Sequence, residues 1–188
     1  MGKENEVMIL DINAAEARKR LKQLNAKPIG RYKFKRIEFL LKGKVKSAHS
    51  WGRVRTDGKE TTITMKEMKG AGGYSAMTEY EIKTDNFKNA VRLITRLIDS
   101  DLIIYFENQR EAYELGKAYV TIDKWPEIPA YMIEAPSMQI VKYVYRKLGI
   151  KGKFAGNASI HKVYERYGLN FREVMKRNAP KLRELLTE

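Results

Sequence analysis

The chain has 188 residues, 43% of them hydrophobic and 32% charged, which is the composition of a soluble globular protein with one core. No apolar run is long enough to span a bilayer, and the N-terminus lacks the apolar stretch of a signal peptide, so we expect a cytoplasmic protein. The absence of cysteine excludes disulfides and thiolate metal sites. A net charge of +14 favours a nucleic acid, an anionic membrane or a nucleoside triphosphate as partner, although a solvated lysine-rich surface explains the same charge.

Five strands and one helix are predicted in the first half of the chain. The strands are residues 4–12, 31–41, 51–56, 60–67 and 77–84. The helix begins after Asn13, which forms a pattern like a capping box with Glu16, and it ends near Asn25. The turn dipeptide Asp57-Gly58 predicts that the third and fourth strands form a hairpin.

The second half adds further strands and ends in helices. The strands are residues 102–109, 111–115, 117–124 and 130–135. Asp85 is the predicted N-cap of a helix that precedes them, and Ser137 opens a third helix that ends near Gly149. The last forty residues are predicted to be helical, with breaks at Gly168 and near Pro180. This order predicts an antiparallel α+β fold, and about eight alternating strands are compatible with a closed barrel.

Charged residues of one sign recur two positions apart on separate predicted strands. These pairs are Glu4 and Glu6, Arg53 and Arg55, and Glu79 and Glu81. Because residues i and i+2 of a strand share a face, such pairs converge if the sheet curls into a tube. Acidic pairs would then hold a cation and basic pairs phosphate oxygens. The residues by themselves favour the alternative, in which the pairs lie on a solvated face and form cross-strand ion pairs.

Four segments resemble the CYTH, or triphosphate tunnel, superfamily. Trp51–Met68 (WGRVRTDGKETTITMKEM) is similar to its R-x-R strand, turn and T-x-K strand, and Met77–Phe87 is similar to its E-x-E strand. Tyr105–Pro129 resembles the second half of the barrel in class IV adenylyl cyclase-like members, and Ser159–Gly168 resembles their C-terminal helix. The segments occur in the family's order, and the resemblance as a whole runs from about residue 4 to residue 170.

The resemblance implies an eight-stranded antiparallel β-barrel with flanking helices, formed by residues 1–170 and extended by a C-terminal helical segment, 171–188. It also implies Mg²⁺ or Mn²⁺ as cofactor and a triphosphate as substrate. The positions that match the family's catalytic residues are Glu4, Glu6 and Lys66. Those that match its triphosphate-binding residues are Arg36, Arg53, Arg55, Lys66 and Arg110. Those that match its metal ligands are Glu4, Glu6, Glu79, Glu81, Asp123 and Glu134.

Three departures from the family pattern affect this prediction. Met8 replaces the lysine of the N-terminal E-x-E-x-K motif, and Gln109 stands where many relatives carry lysine or arginine. The late E-I-E strand reads M-I-E, Met132 to Glu134, with one residue deleted nearby. A one-residue slip reverses the facing of a strand, so the side on which Glu134 lies stays open at this point.

Three functions follow from the resemblance. The first is cyclisation of ATP to cyclic AMP and pyrophosphate by a metal-dependent, class IV adenylyl cyclase-like enzyme. The second is triphosphatase or polyphosphatase activity on the same barrel. The third, favoured by Met8 and the positive charge, is a catalytically weakened protein that binds nucleotide, polyphosphate or RNA. The expected ligand is ATP or another polyphosphate, with nucleic acid as second choice, no membrane partner, and a homodimer as the oligomer considered.

Overall fold

The computed structural model describes residues 5–41, 50–68, 77–99, 103–135, 137–156 and 158–187. Within these ranges the strands are β1 Asn5–Leu10, β2 Lys27–Leu40, β3 Ser50–Thr56, β4 Thr61–Met68, β5 Met77–Thr84, β6 Ile103–Leu115, β7 Ala118–Trp125, β8 Ile128–Ala135 and β9 Lys153–Gly156. The helices are α1 Ala14–Gln23, α2 Phe87–Leu97, α3 Met138–Leu148, α4 Ile160–Arg166, α5 Phe171–Lys176 and α6 Ala179–Leu186. The predicted α+β class is confirmed.

The strands pair in the hydrogen-bonded order β5-β4-β3-β2-β6-β7-β8-β1-β9. The antiparallel pairing that was predicted is found between β1 and β8, β1 and β9, β2 and β3, β3 and β4, β4 and β5, β6 and β7, and β7 and β8. No helix in the described ranges is both long and apolar enough to cross a membrane.

Local signals in the sequence explain several element boundaries. The side chain of Asn13 accepts hydrogen bonds from the amides of Ala15 and Glu16, which confirms it as the N-cap of α1. The side chain of Asp57 accepts from the amides of Lys59 and Glu60, each at 2.9 Å, and so closes the turn between β3 and β4.

Three boundaries differ from the prediction. The N-cap of α2 is Asn86 rather than Asp85, because its side chain accepts from the amide of Asn89 at 2.8 Å. The two strands predicted at 102–109 and 111–115 are one strand within the described residues, β6 (Ile103–Leu115), since Arg110 is paired with Asp123 in the β6–β7 ladder. Residues 153–156, predicted to be helical, form β9, which pairs with β1. Pairing with a distant strand outweighs local helical preference there.

The described structure divides into two compact units. Unit 1 comprises Met1–Lys33 and Asn108–Phe171. The core of this unit lies between one sheet face, which includes Val7, Ile9 and Val120, and helices α1 and α3. Leu21 of α1 and Val141 of α3 are fully buried in it. One face of this part of the sheet is therefore apolar and covered by helices.

Unit 2 comprises Phe34–Glu107 and Arg172–Glu188. Its ladders place Ile37 opposite Val54, and Val54 opposite Ile63, so these side chains share one face. This apolar face packs against α2, where Ala90 and Val91 are buried. The opposite face of β2, β3, β4 and β5 carries the polar residues described below.

Gly52 lies where another residue would collide with the core of unit 2. It is paired with Phe39, and a Cβ atom at Gly52 would stand 2.0 Å from Cζ of the Phe39 ring. We expect Gly52→Ala to reduce the free energy of unfolding by about 1–3 kcal/mol, measured by urea denaturation. The same change should cost less in a Phe39→Leu background. Equal stability of Gly52→Ala and the wild type would contradict the close approach.

Candidate functional site

Three cross-strand rows form the polar face of unit 2. In the first row Arg36 is paired with Arg55, and Arg55 with Thr62. The second row runs across the four strands in the order Glu38, Arg53, Thr64 and Glu81. The third row runs across β3, β4 and β5 in the order Trp51, Lys66 and Glu79. Because directly opposed residues share a face, the sequence-predicted residues of this unit lie on one face of four strands. Those residues are Arg36, Arg53, Arg55, Lys66, Glu79 and Glu81. We call this surface the cationic face.

The innermost cation of this face is largely removed from solvent. Arg36 is 5% exposed, and its guanidinium lies 5.1 Å from the ring centroid of Phe34 and 5.4 Å from that of Phe106. Arg55 also stacks on Phe34, at 5.0 Å. Aromatic rings stabilise a guanidinium by cation–π attraction and leave its N–H edge to hydrogen-bond acceptors. Arg36, which does not belong to the three predicted charge pairs, therefore does not lie on a fully solvated face.

The two glutamates of the predicted E-x-E motif lie at the exposed side of the cationic face. Glu79 forms an ion pair with Lys66, and Glu81 accepts a hydrogen bond from the hydroxyl of Thr64 at 2.8 Å. Both glutamates are exposed, whereas Thr64 is completely buried. Both carboxylates are thus already engaged by residues of the neighbouring strand β4.

Two buried donor atoms of the cationic face lack an acceptor within the described part of the chain. They are the hydroxyl of Thr62, a residue only 4% exposed, and Nε of Arg53. Buried donors are normally satisfied, and leaving one unpaired costs about 1–3 kcal/mol. A ligand rich in oxygen atoms would satisfy both.

Glu38 is a residue of the cationic face that the motif analysis missed. It is the cross-strand partner of Arg53. Burial raises the pKa of Glu38, and the nearby charges of Arg36, Arg53 and Lys66 only partly oppose that effect. Its position two residues after Arg36 was a usable signal, because i and i+2 on a strand share a face.

In unit 1, Arg110 and Asp123 form a buried ion pair. Nε of Arg110 donates to Oδ1 of Asp123 at 2.8 Å, and Nη2 donates to Oδ2 at 3.1 Å. Thr121 and Asn108 also donate to this carboxylate, at 3.0 and 3.5 Å, and the Asp123 side chain is fully buried. Four donor contacts hold these oxygens, which suits a structural anchor at least as well as a metal ligand.

The register of β1 and β8 answers the question raised by the M-I-E strand. Glu6 is paired with Glu134, and Met8 with Met132. The backbone position of Glu134 therefore corresponds to that of Glu6 in the ladder. Glu4, and the side chains of Glu6 and Glu134, lie outside the described residues.

The fit of a divalent metal depends on carboxylate oxygens, the ligands that Mg²⁺ and Mn²⁺ prefer. Among the described residues, no three His, Cys, Asp or Glu side chains are grouped to hold a metal ion. Glu6 and Glu134, both carboxylate residues, are paired in the β1–β8 backbone ladder. Carboxylate residues at these positions have the oxygen chemistry that a hard cation prefers. All six residues predicted as metal ligands stay predictions: Glu4, Glu6, Glu79, Glu81, Asp123 and Glu134.

Neither a protein-family model nor a curated protein matches the chain, but solved structures do. A protein from Pyrococcus horikoshii OT3 is 22% identical, with a TM-score of 0.63 and a match covering 79% of this chain and 91% of that one. The "putative adenylyl cyclase" of Hippeastrum, which has a dominant triphosphatase activity, is 16% identical, with a TM-score of 0.59 and coverage of 88% and 96%. A "putative adenylate cyclase" of Vibrio parahaemolyticus is 9% identical, with a TM-score of 0.58 and coverage of 80% and 91%.

At these identities the likeness concerns the fold. The neighbours include two proteins named as putative adenylyl or adenylate cyclases, one of which has a dominant triphosphatase activity. The chain therefore shares the fold of these proteins. Its cationic face has buried donors that lack an acceptor among the described residues.

Proposed function

We propose that the chain binds the triphosphate of a nucleotide on its cationic face and acts on it as a metal-dependent enzyme of the CYTH type. The observation that carries this proposal is the gathering of Arg36, Arg53, Arg55 and Lys66 on one face. Beside them lies the hydroxyl of Thr62, which has no hydrogen-bond partner in the described part of the chain. Cyclisation of ATP to cyclic AMP and pyrophosphate is the first reaction to test. Hydrolysis of a triphosphate is the second, and the triphosphatase activity of the Hippeastrum protein favours it.

The chemistry of a triphosphate explains why these residues suit it. Its nonbridging oxygens accept several hydrogen bonds at once, and a guanidinium offers parallel donors in a fixed fork. Arg36 is held in one orientation by two aromatic rings, so little side-chain freedom is lost on binding. Orienting and stabilising a charged phosphoryl group is most of what a protein contributes to phosphoryl transfer.

A divalent cation is part of this proposal. When bound, Mg²⁺ or Mn²⁺ would neutralise developing charge on the phosphate oxygens. Glu4, Glu6 and Glu134 are the proposed ligands, because Glu6 and Glu134 are paired in the β1–β8 ladder. A closed eight-stranded tunnel, the architecture that the family resemblance implies, also belongs to the proposal. Arg36, Arg53 and Arg55 would then line its wall.

The test is to incubate the purified chain with ATP and Mg²⁺ or Mn²⁺ and to separate the products by chromatography. Cyclic AMP with an equal amount of pyrophosphate supports cyclisation, whereas ADP with orthophosphate supports hydrolysis. Tripolyphosphate binding without turnover would leave only the binding role. If ATP and tripolyphosphate do not bind but single-stranded RNA does, with strong salt dependence, the proposal is wrong and nucleic-acid binding replaces it.

A further inference from the structure

Glu38 is a carboxyl group on a face that otherwise gathers cations. It lies on β2, directly opposite Arg53 of β3 and two positions from Arg36. Lys66 of β4 and Arg172 of α5 also act on it electrostatically. Its side chain is only partly exposed. A polyphosphate held by Arg53 and Arg36 would therefore lie beside Glu38.

Beyond Arg53, the row that contains Glu38 has no further positive charge that could stabilise an ionised Glu38 next to a polyphosphate. Beyond Arg53 the row continues to Thr64 and then to Glu81, whose carboxylate accepts the Thr64 hydroxyl at 2.8 Å. The charges that act on Glu38 from β2, β3, β4 and α5 are all positive. These cations are the groups that a bound polyphosphate would neutralise.

The surroundings of Glu38 in the free protein shift its pKa in two opposing directions. Burial raises the pKa of Glu38, and Arg36, Arg53, Lys66 and Arg172 lower it without overcoming the effect of burial. A bound polyphosphate would cancel the field of these cations and add negative charge of its own. Both changes act against a carboxylate and favour the neutral acid.

We propose that Glu38 binds the polyphosphate as a neutral carboxylic acid, donating its O–H to a nonbridging phosphate oxygen. This inference rests on the proposed function, because it places the ligand on the cationic face. The proton comes from solvent, and no bond other than the O–H bond is formed. Polyphosphate binding is therefore coupled to the uptake of about one proton at Glu38, and Glu38 is a ligand-binding residue in addition to those that the motifs indicate.

Titration calorimetry with tripolyphosphate tests this coupling in EDTA, so that no metal competes for Glu38. Each protein is titrated between pH 6 and 8 in two buffers of different ionisation enthalpy, which yields the number of protons taken up. The wild type should take up about one proton more than Glu38→Gln, because glutamine donates a hydrogen bond without titrating. Above the pKa of Glu38, the affinity of the wild type should fall by up to about tenfold per pH unit relative to Glu38→Gln. Protons that tripolyphosphate itself gains or loses on binding contribute equally to both proteins, so they cancel in the difference between them.

Two further variants sharpen the result. Glu38→Ala, which cannot donate, should bind more weakly than Glu38→Gln. Glu165→Gln, at an exposed carboxylate of α4, should keep the proton count of the wild type. If Glu38→Gln does not fold, an infrared difference spectrum of the wild type replaces it. Tripolyphosphate should then produce the carbonyl band of a protonated carboxyl group.

The outcomes separate this inference from the proposed function. If the wild type and Glu38→Gln both bind with the same proton count, binding adds no proton to Glu38, and the inferred proton coupling is wrong while the function stands. Absence of the carbonyl band in a wild type that binds leads to the same conclusion. If the wild type does not bind tripolyphosphate with or without Mg²⁺, both the proposed function and this inference fail. Binding that requires Mg²⁺ and is lost in Glu38→Gln would make Glu38 a metal ligand and overturn the inference.

Discussion

Replacing Arg53 and Arg55 together with alanine is expected to weaken tripolyphosphate binding by about 10²- to 10⁴-fold. Each arginine lies on the cationic face, Arg53 beside Glu38 and Arg55 against the ring of Phe34. A hydrogen bond to a charged group contributes about 1.5–3 kcal/mol, so each loss corresponds to roughly one to two powers of ten. Titration calorimetry at fixed ionic strength measures the change, and circular dichroism checks that the variant is folded.

A charge-matched control distinguishes specific contacts from general attraction by the net charge of +14. Arg146 of α3 and Arg183 of α6 are both exposed, and replacing both with alanine removes the same charge. This control should change the affinity by less than about threefold, because exposed charges in salt solution are screened. Equal weakening by the two double variants would show that tripolyphosphate is attracted only nonspecifically and would overturn the assignment of the site.

Removal of the Asp123 carboxylate is expected to have the largest effect on stability. Asp123→Ala would leave the Arg110 guanidinium, whose side chain is 15% exposed, without its bidentate partner. Breaking a buried ion pair on one side costs about 3–5 kcal/mol, because an uncompensated charge stays in a medium of low dielectric constant. Urea denaturation measures the loss. The double variant Arg110→Ala with Asp123→Ala should be less destabilised than the sum of the single variants.

An exposed ion pair provides the comparison. Nζ of Lys83 lies 2.7 Å from Oε2 of Glu60, and the two side chains are 68% and 52% exposed. Glu60→Ala should lower the free energy of unfolding by no more than about 1 kcal/mol. If Asp123→Ala is as stable as Glu60→Ala but loses Mn²⁺ binding, Asp123 acts as the predicted metal ligand rather than as the anchor of Arg110. Loss of stability with unchanged Mn²⁺ binding supports the anchor.

Local sequence patterns were sufficient where neighbouring residues decide the structure. The Asn13 cap, the Asp57-Gly58 turn and the C-cap at Gly149, which has the left-handed conformation, were all predicted and are confirmed. Each depends on atoms only a few residues apart. By contrast, residues 153–156 were predicted to be helical but form β9. Local patterns could not indicate this strand, because its pairing with β1 joins parts of the chain far apart in sequence.

In the candidate site, too, local spacing predicted some features and long-range strand pairing decided others. Spacing of i and i+2 correctly predicted that Arg53 and Arg55 share a face, as do Glu79 and Glu81. It could not show that Asp123 is buried against Arg110, because that pairing depends on the β6–β7 register. No motif includes Glu38, although its spacing of two residues from Arg36 already indicated that both share a face.

The sequence by itself determined the α+β class, most helix and strand positions, and the charged residues that make a polyanion the expected ligand. These features arise from side-chain alternation, capping groups and composition, which act over a few residues. The tertiary structure alone decided which charges are buried, which carboxylates are already paired, and that Arg36 lies between aromatic rings. Such properties depend on strand register and on exclusion of water, so they exist only when distant segments meet.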